Sequence, residues 1–402
     1  MSFSIKEALG NLALLAGSLA VTFAVVEFVI FGFVLPPDDL LENVTINEVV
    51  RYKPGQQAVF RHPDGRETLL SINAQGWNSP KAAYDTERRP GVARVAVVGD
   101  SYVHGAFVDL ADSFPEVLER RLIGKGINAE VYRFGMDGAP LSQYLHMLRR
   151  EVVAYKPDLV VVPLIHNDFD ESYRFLKTRY ASAFMKLDRA EDGSVVEIAP
   201  AAFEPGTADK LRRFATFRYV YYETGLYLNA KSLVSRLFWG GEEEWDESQI
   251  QSAVDIRKIS DHDANRLFTR YVMTEMKRLA QAEGFQLLFV MDGVREAVYA
   301  GKPQSAYEVG KLNAIAAEVA GEVGVPFVDL YDAFAADWRT RQRRLEFAYD
   351  WHWNRPGNAI VAETVLKSIL GAPDRLGLPV TGASSANAGG PADGGEAVIA
   401  RP

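Results

Sequence analysis

The sequence of 402 residues contains no cysteine. Without thiols the chain has no disulfide, no thiolate metal ligand and no cysteine nucleophile. Positive charge is also in deficit, because 53 Asp and Glu residues outnumber 44 Lys and Arg residues and the formal net charge is −9. No global positive field is available to hold phosphates, so we expect no nucleic-acid partner.

Histidine is scarce as well, with six in the chain. The sequence contains no His-x-x-x-His pair, no EF-hand spacing and no glycine-rich phosphate loop followed by Lys and Ser or Thr. The cluster Asp261-His262-Asp263 precedes a helical pattern from Ala264, and we interpret it as a helix cap. The sequence therefore predicts no metal site and no cofactor.

One long hydrophobic run is present near the N-terminus. No residue from Ala8 to Val26 is charged, and apolar character resumes after Glu27 and continues to Leu35. About 20 apolar residues are enough to cross a bilayer as a helix. The run lacks the small-residue cleavage site of a signal peptide. We predict a retained transmembrane helix over residues 11–35, after a cytoplasmic N-terminus of residues 1–10.

The charges that flank this run predict its orientation. Lys6 lies before it, and Asp38, Asp39 and Glu42 follow it. The positive-inside rule then predicts a single-pass protein of the inner (cell) membrane, with its bulk in the periplasm or outside the cell. Glu27 interrupts the run, and it lies either near the outer interface or against a partner within an assembly.

Residues 92–370 predict an α/β domain that follows a connector over 36–91. Short apolar runs bounded by turn residues indicate buried parallel strands. Such runs occur at Val95–Val98 and Leu159–Leu164, and further strands are predicted at Glu130–Phe134, Gln286–Met291 and Pro326–Val328. Helical segments lie between them, one of them over Ser142–Tyr155 with Ser142 as a possible cap. Five alternating strands predict a flavodoxin-like, doubly wound parallel sheet.

Two further segments lack this alternation of strands and helices. Residues 172–262 are aromatic and mixed in charge, and we interpret them as an insertion that forms a substrate-covering cap, a partner surface or both. Small and polar residues dominate from 381 to 390. Such a composition cannot offset the entropy of ordering, so we predict a disordered tail over 371–402.

Ser101 is the first candidate for chemistry. It directly follows the strand pattern in Gly99-Asp100-Ser101, and ligands of doubly wound sheets bind at the carboxyl ends of strands. A serine hydroxyl needs a base to accept its proton and donors to stabilise the resulting oxyanion. The alternative is an ordinary turn, since Gly, Asp and Ser are common turn residues.

His352 is the candidate base, because Asp350 lies two residues before it and a carboxylate can orient an imidazole. The alternative is a helix flank in which Asp350 is a turn residue. His104 lies three residues after Ser101 and would share a helical face with it. We prefer His352, which approaches from a separate loop. We interpret His166 as a residue of the site wall or of the core.

Two segments carry candidate oxyanion donors. A glycine of Gly135-Met136-Asp137-Gly138 follows the second strand and can offer its N–H without side-chain obstruction. Asn167 follows the third strand and can offer its amide. The alternatives are a strand-to-helix turn and a helix cap.

Taken in order, these four segments resemble the SGNH/GDSL hydrolase superfamily. The resemblance covers about Val92–Leu370, with residues 172–262 unmatched. It implies that Ser101 is the nucleophile, His352 the base and Asp350 its orienting acid. It also implies an oxyanion hole formed by the N–H of Ser101 with Gly138 and Asn167, where Gly138 fits better than Gly135.

The sequence departs from the family pattern in two places. The late block is Asp-x-His instead of Asp-x-x-His, a form that resembles bacterial polysaccharide O-acetyltransferase relatives. Asp329 and Asp332 therefore stay as alternatives to Asp350. Asp137 stands beside the proposed oxyanion glycine, where a carboxylate would oppose an oxyanion, so we predict that its side chain points away from Ser101.

Three functions follow as hypotheses. The first is a membrane-anchored serine esterase that acts on an ester through an acyl-serine, with an acylated carbohydrate or envelope component as substrate. The second is an O-acetyltransferase that modifies an exopolysaccharide or envelope glycan. The third is a non-catalytic glycan-binding or scaffold protein of the envelope polysaccharide machinery. Trp351 and Trp353 either line a sugar-binding groove or pack in the core.

Overall fold

The computed structural model describes residues 5–174, 181–220, 250–252, 254–256, 259, 261–372, 376 and 378. The strands, in chain order, are β1 (Asn43–Ile46), β2 (Val49–Tyr52), β3 (Gln57–Arg61), β4 (Glu67–Ser71), β5 (Ala93–Gly99), β6 (Ala129–Gly135), β7 (Leu159–Leu164), β8 (Lys186–Arg189), β9 (Val195–Ile198), β10 (Ile250–Gln251), β11 (Val254–Asp255), β12 (Gln286–Met291) and β13 (Phe327–Asp329).

The α-helices of the described residues are α1 (Ile5–Val25), α2 (Ser101–His104), α3 (Phe114–Gly124), α4 (Leu141–Arg150), α5 (Asp168–Glu171), α6 (Thr207–Leu211), α7 (Ala215–Arg218), α8 (His262–Glu283), α9 (Arg295–Ala300), α10 (Gly310–Val323), α11 (Tyr331–Arg341) and α12 (Arg355–Gly371). Short 3₁₀ turns occur at Leu110–Asp112, Val152–Tyr155, Ala181–Ala183 and Gln304–Ala306.

A parallel five-stranded sheet forms the centre of the catalytic-domain candidate, in the order β13-β12-β7-β5-β6. All four strand pairings are parallel. The chain enters in the middle of the sheet, moves to one edge and then crosses to build the other half. This is the doubly wound, flavodoxin-like order, and the predicted fold class is confirmed.

Helices cover both faces of this sheet because neighbouring strand residues point to opposite sides. Val95 and Val97 pack with α3 and α12 in one core cluster. Ala96 and Val98 pack with α4, α8 and α10 in the other. Strands β5 and β7 are buried on both faces, which explains why each was visible as a continuous apolar run.

The N-terminal helix continues beyond α1 as a π-helix over Val26–Val34. Leu9–Val34 is long and apolar enough to cross a membrane, by length and composition, as a signal sequence near an N-terminus also is. Large apolar side chains on it are exposed, among them Leu14 and Phe33. The predicted helix is present, and membrane crossing is taken up below as a proposal.

The connector over 36–91 contains two antiparallel hairpins, β1–β2 and β3–β4. Asp39 pairs through its backbone N–H with Val59 O of β3 at 3.0 Å, and its carboxylate accepts from Val59 N at 2.9 Å. The chain that leaves the N-terminal helix is therefore bound directly to the second hairpin.

The predicted insertion over 172–262 is described only in part. Its described residues form the hairpin β8–β9 and the short helices α6 and α7. The hairpin packs on α4, where Met185 N donates to Gln143 Oε1 at 2.8 Å. The acidic stretch 242–246, and the predicted tail from residue 379 onward, lie outside the described residues.

One local prediction is wrong. Helix α4 begins at Leu141 after Pro140 and ends at Arg150, and Ser142 lies buried within its first turn instead of capping it. The Ser142 hydroxyl donates to Met185 O at 2.7 Å. The Ser142 hydroxyl, which local sequence rules predicted to cap the helix, is thus bound instead by Met185, directly before strand β8.

Candidate active site

Ser101 begins helix α2 directly after β5. Asp100 caps this helix, and its carboxylate accepts from Tyr102 N at 2.9 Å. Gly105 ends the helix after one turn in a left-handed conformation, with φ of 67°. The tight strand–turn–helix geometry holds Ser101 half-buried at the carboxyl edge of the sheet, where its hydroxyl can meet a ligand.

The structure brings three predicted residues into one hydrogen-bonded line. Ser101 Oγ lies 2.7 Å from His352 Nε2. His352 Nδ1 lies 2.5 Å from Asp350 Oδ1, which also accepts from the His352 backbone N at 2.7 Å. A hydrogen on Nδ1, facing the carboxylate, leaves the Nε2 lone pair for the serine proton. The arrangement can deprotonate Ser101 and stabilise the imidazolium that forms.

Aromatic side chains hold the His352 ring. Phe107 stacks on it with a centroid distance of 3.9 Å and an interplanar angle of 11°. Tyr102 packs against it at 4.5 Å with an angle of 33°. These rings restrict rotation of the imidazole, so its two nitrogens stay aimed at Ser101 and Asp350.

The backbone of the His352 loop is held by a buried network. Trp351 O accepts from Tyr102 Oη at 2.8 Å and from Arg295 Nη1 at 2.6 Å. Arg295 pairs with Asp292 at 3.1 Å, and Asp292 also accepts from Trp353 Nε1 at 2.9 Å. Asp292 stands at the carboxyl end of β12, so the sheet itself fixes the position of the loop.

Sequence reasoning missed this network. For Asp292 the sequence offered one indication, which was the position of a carboxylate at the end of a predicted strand. Nothing in the sequence connects Arg295 or Tyr102 to residue 351, because each acts through a tertiary contact.

Asp100 adds a second carboxylate beside the nucleophile. Its side chain is buried, and Ser101 Oγ lies 3.4 Å from its Oδ2. Burial raises the pKa of Asp100 to about 6, although the His352 charge and the bond from Tyr102 N oppose this. Asp100 thus changes charge within the pH range in which hydrolases commonly work.

Gly138 and Asn167 lie at the same edge of the sheet as Ser101, after β6 and β7. Gly138 has φ of +68°, and a Cβ added there would meet no atom within 4 Å. Gly138 is exposed, and without a side chain it leaves its backbone open to a ligand. By contrast, a Cβ on Gly135 would lie 2.1 Å from His104 N, so that glycine is needed for packing.

Asn167 is half-buried at the start of α5. Its amide hydrogen-bonds the Glu171 carboxyl. Burial and the nearby Asp170 raise the pKa of Glu171 to about 7, and the bond from Asn167 acts in the opposite direction. No contact joins Gly138 or Asn167 to Ser101 among the described residues.

Asp137 turns towards His104. Its Oδ1 lies 2.6 Å from His104 Nδ1, and its N–H donates to Tyr52 Oη at 3.4 Å. Burial acts to raise the pKa of Asp137, but the charge and hydrogen bond of His104 outweigh it and the pKa is lowered. His104 stacks on Tyr52 at 4.5 Å, so this imidazole is engaged away from the Ser101 hydroxyl.

The remaining alternatives lie elsewhere. Asp329 accepts from Gln304 and Asn313, both at 2.8 Å. Asp332 is exposed in the first turn of α11. His166 is fully buried, contacts Asn313 at 2.9 Å, and has a pKa that burial lowers. Neither aspartate contacts His352 among the described residues.

A small cavity lies beside Ser101 and His352, with a volume of about 10 Å³. Its wall is formed by Ser101, Tyr102, Gly105, Phe107, Val108, His352, Trp353 and Asn358. The volume is on the order of one water molecule, so only a small group fits. Trp353 is buried in this wall, whereas Trp351 is 37% exposed. Among the described residues, no group of three or more His, Asp or Glu could hold a metal ion.

Comparison with known proteins gives a family match for part of the chain. Residues 95–197 match the family described as GDSL-like Lipase/Acylhydrolase, a range that includes Ser101, Gly138 and Asn167. No curated protein matches the chain.

Several solved structures are similar to the chain at low identity. An acetyl xylan esterase, AlAXEase, is 14% identical with a TM-score of 0.38, and the match covers 69% of this chain and 99% of that one. A lipase/acylhydrolase from Enterococcus faecalis is 16% identical with a TM-score of 0.37, covering 69% and 96%. A catalytic mutant of Axe2, an acetylxylan esterase from Geobacillus stearothermophilus, is 14% identical with a TM-score of 0.37, covering 69% and 94%.

Proposed function

Since the chain carries a GDSL-like lipase/acylhydrolase domain and is an ester-acting enzyme, we propose that it is a membrane-anchored serine esterase with Ser101 as its nucleophile. One observation carries the proposal. Ser101 Oγ, His352 and Asp350 form a continuous hydrogen-bonded line with distances of 2.7 and 2.5 Å. The apolar helix Leu9–Val34 supports the anchor, with the domain on the outer side.

In the proposed reaction, Ser101 Oγ attacks the ester carbonyl carbon while its proton passes to His352 Nε2. The N–H groups of Ser101 and Gly138 and the Asn167 amide stabilise the oxyanion. His352 then gives the proton to the departing alcohol oxygen, which leaves an acyl-Ser101. Water, deprotonated by His352, attacks this acyl group, and the acid departs as Ser101 regains its proton.

An acylated carbohydrate is the substrate class that we propose. Two aromatic side chains of the loop that carries Asp350 and His352 are exposed, Tyr349 at 36% and Trp351 at 37%. Aromatic faces in such positions suit the apolar faces of sugar rings. The cleft beside Ser101 and His352 is narrow, so we propose a short acyl group such as acetyl.

A transferase is the second candidate, in which a sugar hydroxyl replaces water as the acceptor of the acyl group. The observation that favours it is the exposed Trp351, which directly precedes the base His352 and offers an acceptor sugar a surface beside it. Release of free acid or formation of an acylated sugar separates the two candidates.

The first experiment uses the full chain in lipid nanodiscs with p-nitrophenyl acetate and a fluorophosphonate probe. Ser101→Ala should abolish labelling and lower turnover roughly 10³-fold or more, while Ser368→Ala on α12 should change neither. Labelling that persists in Ser101→Ala, or a folded protein with neither signal, would refute the proposal. Adding candidate sugars then reports whether an acylated sugar forms.

A paired substitution tests the orienting carboxylate. Asp350→Asn should lower kcat by roughly 10³ to 10⁴, because the imidazole loses both its tautomer control and its counter-charge. Asp332→Asn on the exposed face of α11 is the matched control and should leave kcat unchanged. Equal effects of the two substitutions would argue against Asp350.

A further inference from the structure

Glu27 is the one acidic residue of the apolar run Leu9–Val34, and it is buried although its neighbours in the helix are exposed. An ionisable side chain in a membrane segment is costly unless it has partners. The groups that surround Glu27 therefore identify what packs against the helix at this position.

The partners of Glu27 come from the distant helix α7 (Ala215–Arg218). Its carboxylate accepts from Ala215 N at 2.6 Å, from Thr216 N at 2.8 Å and from Thr216 Oγ1 at 2.6 Å. Hydrogen bonds to a carboxylate are stronger than neutral ones, and three converge here. The described part of the insertion is thus joined to the N-terminal helix at a fixed point.

Aromatic contacts extend this joint along the helix. Phe23 packs edge-on against Phe214 at 5.8 Å, and Phe31 packs against Tyr219 at 4.6 Å. Phe23 and Phe31 lie four residues before and after Glu27. The segment Phe214–Tyr219 therefore runs along one side of the N-terminal helix.

The depth of this joint follows from helix length. About 20 residues of helix cross a hydrocarbon core of about 30 Å. The apolar helix is longer than this, and a core that begins at Leu9 ends close to residue 28. This placement puts Glu27 at the outer boundary and shortens the membrane span predicted over residues 11–35. The segment that binds Glu27 must stand at the same level.

The surface of this segment has the composition of an interfacial helix. Leu211, Phe214 and Val220 are 41%, 45% and 37% exposed. Lys210 and Arg213 are exposed beside them. Apolar side chains with basic residues on the adjacent face are typical of helices that lie in the lipid headgroup region.

We propose that residues 207–220, the docking segment, lie in the headgroup region of the outer leaflet, fastened to the membrane helix by Glu27. The ligand of this surface is a phospholipid bilayer. The inference rests on the proposed membrane anchoring and is independent of the proposed esterase chemistry.

The docking segment also holds the start of the connector. Arg218 Nε donates to Asp38 O at 2.9 Å, just beyond the end of the membrane helix. Asp38 and Asp39 in turn bind strand β3. The bilayer contact thereby fixes the height at which the catalytic domain stands above the membrane.

The absence of cysteine allows a direct test on the full chain. Leu211→Cys and Val220→Cys are each labelled with bimane and reconstituted in phosphatidylcholine vesicles that contain a headgroup-proximal spin-labelled lipid. Ile123→Cys is the control, because Ile123 is 53% exposed near the end of α3, at the opposite edge of the sheet from Ser101. We expect several-fold stronger quenching at residues 211 and 220 than at 123.

Equal quenching at the three positions, in protein that floats with the vesicles, would overturn the docking segment. Protein that does not float would overturn the anchor and this inference with it, whereas turnover of p-nitrophenyl acetate would report the esterase separately. Glu27→Ala should reduce quenching at residue 211 towards the value at 123, and Asn11→Ala in the same helix should not. Unchanged quenching in Glu27→Ala would refute the role of Glu27.

Discussion

At the residue scale, the protonation of Asp100 makes both the stability and the activity of the protein depend on pH. Burial raises the pKa of Asp100 from 3.8 to about 6 in the native state. Between these pH values the native protein keeps the Asp100 proton, whereas the unfolded chain has lost it. Stability contributed at this site therefore falls as pH rises from about 4 to 6. Asp100→Asn removes this loss and should stabilise the protein at pH 8 by up to about 3 kcal/mol, since each pKa unit is worth about 1.4 kcal/mol.

The same substitution should act on catalysis in the opposite sense. The Asp100 carboxylate favours a positive charge on His352, so its removal should shift the acidic limb of kcat/KM to lower pH and reduce kcat at pH 8. Thermal unfolding at pH 4 and pH 8, together with a pH–rate profile, measures both effects. A variant that is less stable at pH 8 than the wild type would contradict this account.

Val108 controls the size of the cavity beside Ser101. It is 3% exposed and lines the wall of a cavity of about 10 Å³. Val108→Ala removes two methyl groups from this wall and should raise kcat/KM for butyrate esters relative to acetate esters by several-fold. Val97→Ala in the core is the control for lost packing, and it should lower stability without changing this ratio. An unchanged ratio in Val108→Ala would show that the cavity does not hold the acyl group.

The residues of the candidate active site differed in how far sequence alone could predict them. Ser101, Asp350 and His352 were predicted because serine, imidazole and carboxylate have distinctive chemistry near strand ends, and the structure brings them within hydrogen-bond distance. Phe107 and Arg295 were not predicted. Their contribution is a contact with a ring or a backbone oxygen, and such contacts exist only after the chain has folded.

At the element scale, the loop that carries His352 depends on Tyr102 in helix α2. The Tyr102 hydroxyl donates to Trp351 O at 2.8 Å. Tyr102→Phe should cost about 1 kcal/mol of stability and lower kcat several-fold with little change in KM, since the loop becomes looser around the base. Tyr155→Phe is matched, because its hydroxyl bonds Glu151 at 3.1 Å without contact with His352.

The two variants separate a positioning role from a structural one. Chemical denaturation should show similar losses of stability for both, while steady-state kinetics should show a lower kcat for Tyr102→Phe alone. A fall in kcat for both variants would mean that general loosening of the fold, and not the bond to Trp351, limits turnover.

The elements themselves were predicted with uneven success. Strand β5 (Ala93–Gly99) contains the predicted run Val95–Val98, because burial on both faces makes such a strand uniformly apolar. The hairpin β3–β4 in the connector was not resolved by sequence. Burial alternates along β4 but not along β3, and the position of the hairpin depends on pairing with Asp39 and on contacts with the loop that carries Asp350.

At the scale of the whole molecule, one chain of contacts links the N-terminal helix to the candidate active site. Hairpin β3–β4 binds Asp38 and Asp39 at its strand β3. At its turn, Arg66 donates to Tyr349 Oη at 2.8 Å and stacks on Phe347 at 4.7 Å, just before Asp350. A single hairpin therefore spans the distance from the end of the helix to the catalytic loop.

This continuity predicts how removal of residues 1–35 affects two kinds of substrate. The line from Ser101 to Asp350 includes no residue of the helix, so turnover of a soluble acetate ester should stay within about two-fold of the full chain. Turnover of an acetylated sugar attached to a lipid in vesicles should fall at least several-fold, because the domain loses its high effective concentration at the surface.

We compare the ratio of the two rates because a partial loss of folded protein lowers both rates equally and leaves their ratio unchanged. Removal of the helix also takes Glu27 from Ala215 and Thr216, so some loss of stability is expected in both assays alike. A fall in the ratio of lipid-bound to soluble turnover means that the anchor serves to present the site to a surface-bound substrate. An unchanged ratio would mean that the substrate reaches Ser101 from solution and that the helix serves another purpose, such as retention in the envelope.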